Sequence, residues 1–314
     1  MKNLKSILCI LLVCLLTASL AACSTPAGST EDKTINFGAM ASVEVVPVII
    51  AQEKGFFKEQ GVNVNIQTFK SAKDRDAAFQ SGSLDGIVGD EVAICLYQNA
   101  GFDVRITGAT DGNFMLVAGK DSGIQSIADL KGKSVAISEK TCIEYTLDTL
   151  LTKNGMTAAD VQKSVIPAMP TRLEMLRTKN VDAALMPEPF STMAVKDGGI
   201  LLGSANDAGI YTSVTAFTQD SIDKKAASIQ AFYKAYNQAV DYINSTPITE
   251  YEDTIISTVG YPADMKGKIE LPQFSKNALP AEDNVQEVII WAVQNNLLTK
   301  DLAPKDIMSD IGTK

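Results

Sequence analysis

From Thr34 onward two hydrophobic periods take turns along the chain, and this alternation limits its fold more than any other feature. Residues 34–40, 62–69, 84–89 and 104–109 read as short strands, with amphipathic helices over 47–60, 74–81 and 91–99 between them. The same grammar resumes with strands at 134–137, 164–168, 181–186 and 213–218 and helices at 143–153 and 171–178. Beyond it the pattern is helical, over 224–244, 248–259 and 281–298. Parallel strands need crossover connections, which helices supply, so the expected class is α/β with largely parallel sheets.

The alternation also contains a repeat. Arg75, Asp85 and Glu91 recur without gaps 97 residues later as Arg172, Asp182 and Glu188, with Phe79 matched by Leu176 and Gly86 by Ala183. Two similar lobes are the economical reading. Residues 34–116 with 213–314 would form lobe 1 and 117–212 lobe 2. Two crossings between lobes make a hinge, and a cleft between hinged lobes is where small ligands bind.

The start of the chain reads as an address. Lys2 and Lys5 precede an apolar run over 7–16 and small residues over 17–22, a secretory signal whose apolar core is short for a membrane span. Leu20-Ala21-Ala22-Cys23 resembles the bacterial lipobox, which predicts cleavage after residue 22, acylation of Cys23 and stable anchoring by two acyl chains. Residues 24–33 then form a polar tether. The expected location is extracytoplasmic, on the outer surface of a Gram-positive membrane. Of five cysteines only Cys95 and Cys142 remain for the folded part, and their places in different lobes predict two unpaired, buried thiols.

Composition then removes whole classes of function. The net charge of −9 argues against nucleic acid, whose affinity comes from Lys and Arg on phosphates. With no histidine in the chain, a Ser-His-Asp triad, a His-ligated zinc site and imidazole acid/base chemistry are all excluded. Gly132-Lys133-Ser134 is no P-loop, because Ile127 stands where a glycine is required. No catalytic residue, metal or cofactor is assigned.

Four segments carry a family resemblance. AQEKGFFKEQGV at 51–62, AAFQSGSLDG at 77–86, DLKGKSVA at 129–136 and MPEPF at 186–190 together resemble ABC-transporter solute-binding proteins. The group is that of the sulfonate/nitrate/taurine and thiamine-pyrimidine-precursor binders. The resemblance implies a type II periplasmic-binding-protein fold, two α/β lobes joined by two hinge strands and closing on one solute. It also implies a monomer that docks on a permease driven by a cytoplasmic ATPase. Fungal relatives that make the thiamine pyrimidine consume a histidine as substrate, a route closed to this chain. A surface lipoprotein that senses solute is the alternative outside transport.

In open α/β sheets ligands sit beyond the carboxyl ends of strands. That rule selects the loops 39–44, 89–91, 110–114, 138–142 and 186–189, and with them Met40, Ser42, Asp90, Glu91, Thr110, Asp111, Ser138, Thr141 and Glu188 as the candidate ligand-binding residues. Thr141 to Glu144 reads as a capping box whose free N–H groups can also hold a ligand oxygen. Glu44, Asp90, Glu91, Asp111, Glu139 and Glu188 against Lys140 alone make these loops acidic. Such loops suit an amino-bearing or cationic solute, such as an aminopyrimidine, with Glu91 and Glu188 facing each other across the cleft. A sulfonate- or nitrate-type anion is the alternative, and Glu188 as a helix cap is the plainer reading of that residue.

Overall fold

Ten strands build two five-stranded sheets among the described residues, Lys33–Lys314 of a computed structural model. The signal, Cys23 and the tether through residue 32 lie outside them. In chain order the strands are β1 (Thr34–Met40), β2 (Asn63–Phe69), β3 (Gly86–Asp90), β4 (Val104–Ala109), β5 (Phe114–Ala118), β6 (Ser134–Ile137), β7 (Gln162–Val165), β8 (Ala183–Pro187), β9 (Ile200–Ser204) and β10 (Ser213–Thr218). The first sheet runs β2-β1-β3-β10-β4 and the second β7-β6-β8-β5-β9. β1 is parallel to β2 and β3, and β6 to β7 and β8. β10 and β5 are antiparallel to both of their neighbours. Each sheet thus receives, in fourth place, the strand laid down immediately after the chain crosses over.

The helices follow the apolar periodicity with one break. A single helix is expected over 47–60, but α1 (Val46–Glu53) and α2 (Phe56–Glu59) are separated by Gly55 at φ 79°, a left-handed turn that glycine adopts at little cost. Next come α3 (Ala72–Gln80), α4 (Glu91–Asn99), α5 (Cys142–Lys153), α6 (Met169–Arg177), α7 (Phe190–Lys196), α8 (Ala226–Ser245), α9 (Glu252–Val259) and α10 (Glu282–Gln294). α8 buries Phe232 against Phe37 and Phe57 beneath the first sheet, with ring centroids 4.8 and 5.2 Å apart. α10 reaches the other lobe. Its Trp291 stands edge-on to Tyr145 of α5 and donates its indole N–H to Asp148 at 3.2 Å. No helix of the described residues is long and apolar enough to cross a membrane. Cys95 and Cys142 are free and buried, as the reading of two unpaired thiols expects.

The 97-residue repeat is carried into matching hydrogen bonds. Arg75 Nη1 donates to the carbonyl of Val88 at 2.9 Å, and Arg172 Nη1 to that of Leu185 at 2.6 Å. Asp85 accepts the N–H of Asn36 on β1 at 2.8 Å, and Asp182 the N–H of Ser134 on β6 at 2.8 Å. Each arginine therefore pins its helix to the central strand of its sheet, and each aspartate ties that strand's entry to the parallel strand beside it. The third pair diverges: Glu91 and Glu188 have different surroundings.

Candidate functional site

The carboxyl ends of β1, β3, β6 and β8 converge on a cavity of about 40 Å³. Met40 reaches it from the end of β1, Ser42 and Glu44 from the segment that follows, Arg75 from α3, and Gly89 and Asp90 from the end of β3. The second sheet contributes Phe114, Ser138, Thr141, Cys142, Met169 and Pro187. A larger space of about 740 Å³ shares Ala72, Ser138 and Thr141 and is bordered by Lys73, Asp76, Glu139 and Lys140. The small cavity holds only a few water-sized groups, since one water needs roughly 10–15 Å³ on this measure. A larger solute enters only if the walls separate.

Asp90 is the central charged group. One of its oxygens accepts the N–H of Ala93, capping α4 at 3.0 Å, and the N–H of Cys142, the first residue of α5, at 3.2 Å. One carboxylate thus bridges helices from the two sheets. Burial raises its pKa, opposed by Arg75 and these two N–H groups. Burial also raises the Glu44 carboxyl, with only the Ser42 side chain, its own N–H and the more distant Arg75 in opposition. Glu44 is 7% exposed and forms no ion pair among the described residues. Arg75 is committed elsewhere, its guanidinium paired with Asp76 at 2.7 Å.

The second wall is cationic at its back. Arg172 is wholly buried and donates to the carbonyls of Ile166 and Leu185 and to Ser138 Oγ, with no carboxylate among its partners. Burial pushes its pKa down to about 9. Thr141 caps α5 by accepting the Ile143 N–H at 3.2 Å. The capping box expected there is incomplete, because Glu144 turns to the N–H of Lys140 at 2.7 Å and to Lys163 at 2.7 Å. Lys140 sits at φ 56°, a sparsely occupied backbone region for a side chain of its size.

Of the residues selected from sequence, Met40, Ser42, Asp90, Ser138 and Thr141 line the small cavity. The other four do not. Glu91 is wholly buried with both carboxylate oxygens unpartnered, behind the wall and not on it. Thr110 donates its N–H to Ser213 where the chain crosses between sheets, and Asp111 accepts two hydrogen bonds from Ser275 at 2.8 Å. Glu188 accepts the hydroxyl of Thr192 at 2.9 Å and its N–H at 3.3 Å, on the first turn of α7. The facing Glu91–Glu188 pair is therefore absent from this arrangement. Of the aromatic side chains, Phe114 lines the cavity, whereas Tyr145 packs on Trp291 and Tyr211 is 55% exposed. Arg75, Arg172 and Met169 carried no signal of site membership in the sequence, although the first two mark the repeat.

The Glu188 geometry sets a test. Glu188→Gln is expected to cost about 1 kcal/mol or less of stability, the scale of a helix cap, and to leave solute affinity within twofold. Calorimetric melting beside a binding titration checks it; a tenfold loss of affinity would place Glu188 on the ligand.

Two α/β lobes with this strand order and a cavity between their strand ends have the fold of type II periplasmic solute-binding proteins. The chain belongs to the family described as NMT1/THI5 like, whose model matches residues 42–250. A Bacillus subtilis (strain 168) protein named as an aliphatic sulfonates-binding protein is 23% identical over 304 residues, covering 92% of this chain and 87% of its own length. A Brachyspira hyodysenteriae protein named as an ABC transporter periplasmic binding protein is 22% identical over 261 residues, covering 76% of this chain and 73% of its own. The crystal structure of the periplasmic aliphatic sulphonate binding protein SsuA from Escherichia coli matches with a TM-score of 0.75 at 18% identity, over 88% of this chain and 92% of that one.

Proposed function

We propose that this chain is the solute-binding component of an ABC importer and that it takes a small amino-bearing organic solute between its lobes. Residues 34–109 with 213–314 act as one lobe and 114–204 as the other, turning about the crossings at 110–113 and 205–212. Acylated Cys23 holds the protein at the outer face of the membrane, and the closed form delivers its solute to a permease. The role is binding, not catalysis. The fold, the family and the names of the relatives support the transport reading.

One observation carries the choice of solute: Glu44, a buried carboxylate on the cavity wall with no cation paired to it. Arg75 is held by Asp76, and Asp90 is spent on two helix N-termini. Glu44 is left to be matched by a ligand N–H or ammonium, and a charge-assisted hydrogen bond there contributes about 1.5–3 kcal/mol. An aliphatic sulfonate is the second reading, favoured by Ser138 with Arg172 behind it and by the relatives' names.

Titration calorimetry of the delipidated chain against aminopyrimidines, alkanesulfonates and nitrate separates the two. Binding of aminopyrimidines alone is expected, weakened about tenfold to a hundredfold by Glu44→Gln, with unchanged or higher melting temperature. Heat with alkanesulfonates alone, indifferent to Glu44→Gln, would sink the amino reading.

A further inference from the structure

We propose that Asp90 is an internal counter-anion: it fills the anion-binding position at the N-terminus of α5 and so sets the site against sulfonates and other anionic solutes. This deepens the reading of the same cleft and rests on it for the location of the solute.

A helix N-terminus attracts anions because its first N–H groups lack intrahelical partners and the aligned peptide dipoles leave partial positive charge there. α5 has twelve residues, starts on the cavity wall, and has the buried Arg172 guanidinium close behind through Ser138. Left open, this corner has what a sulfonate needs: free N–H groups, a hydroxyl and a desolvated positive charge with no carboxylate of its own. It is not open. The first N–H of α5 is taken by Asp90 at 3.2 Å, and Asp90 is itself only 4% exposed.

The carboxylate comes from the first sheet and the helix from the second, so Asp90 also does what a bound anion would do in drawing the two walls together. The same oxygen satisfies the start of α4, which directs two positive helix ends at one negative atom. A sulfonate entering this corner would place a second full negative charge beside Asp90 and near Glu44, both of them buried. A neutral amine meets no such opposition, and for a cationic one Asp90 and Glu44 offset the repulsion of Arg75 and Arg172. Asp90 is thus a specificity-determining residue, and its effect is to repel one class of solute as much as to admit another.

The test uses the purified full-length chain with ethanesulfonate and 4-aminopyrimidine as probes, and the variants Asp90→Asn and Asp90→Ser. Both replacements keep a side-chain oxygen able to cap α4 and remove the charge. The variants are expected to bind ethanesulfonate at least tenfold more tightly than the parent. Equal ethanesulfonate affinity in parent and variants overturns the proposal. So does loss of the folded state in both variants, because a charge that only selects solute is not needed for folding. If the parent ignores 4-aminopyrimidine while the variants still gain ethanesulfonate binding, the amino reading of the cleft fails and the role of Asp90 stands.

Discussion

Arg172→Ala is expected to destabilise the protein by about 3 kcal/mol or more, and Arg172→Lys to restore little of it. The guanidinium is wholly buried and holds two main-chain carbonyls, those of Ile166 and Leu185, besides Ser138 Oγ. Truncation strands both carbonyls, at about 1–3 kcal/mol each, and leaves a void of side-chain size. An opposing effect is present: burying an unpaired cation is costly, as the lowered pKa of about 9 shows, and alanine removes that cost. The stranded carbonyls and the void together outweigh it. A lysine ammonium lacks the planar fork that spans these acceptors. Arg75 is the internal comparison: it holds one buried carbonyl, that of Val88, and its partner Asp76 is 21% exposed and remains hydrated when the arginine is cut away, so Arg75→Ala is expected to cost less. Urea denaturation of the two alanine variants checks the order. A cost below about 1 kcal/mol for Arg172→Ala would show that water enters and satisfies the carbonyls, and would remove the structural role assigned to the residue.

Glu91→Gln is expected to stabilise the protein at alkaline pH and to flatten its pH dependence. Glu91 has no exposed surface, neither oxygen has a hydrogen-bond partner, and its pKa is pushed up from 4.5 to about 8, first by burial and then by Asp90. The titratable groups felt around it are Asp90, Cys95 and Tyr145, none of them cationic. Between pH 4.5 and about 8 the folded chain therefore holds a proton that the unfolded chain has released. Stability falls as pH rises through that window, by about 1.4 kcal/mol per unit and about 5 kcal/mol at most. Glutamine does not titrate, so the variant loses the slope. Its melting temperature should lie close to the parent's at pH 5 and about 4–8 °C above it at pH 8.5. Scanning calorimetry at the two pH values decides the matter; parallel curves for parent and variant would mean that Glu91 is ionised and solvated in the folded protein.

Much of the framework was legible in the sequence because it is local. The strands at Val104–Ala109, Ser134–Ile137 and Ser213–Thr218 fall where the apolar pattern puts them. β5 and β9 were not legible. Phe114–Ala118 is a short run with four of five residues buried, so it lacks the period of two that marks a half-exposed strand. β7 covers Gln162–Val165, where the pattern suggested 164–168, because its Gln162–Val165 backbone pairs with Ser134–Ile137 while Pro167 can offer no N–H to a ladder. Gly55 falls inside the single helix expected over 47–60, yet its left-handed turn divides that helix in two.

The site divides along the same line. Spacing alone identified the loops at the strand ends, the arginine–aspartate repeat and the acids those loops carry, since strand polarity and side-chain chemistry travel with the sequence. It could not rank the acids. Asp90, Glu91 and Glu188 are similar letters in similar loops, but one bridges two helix N-termini, one is sealed in without a partner, and one caps a short helix. What separates them is which groups from distant segments exclude water and which offer an N–H. Desolvation and hydrogen-bond pairing are properties of the assembled neighbourhood, so the charge and the role of each carboxyl were decided only when the chain had folded.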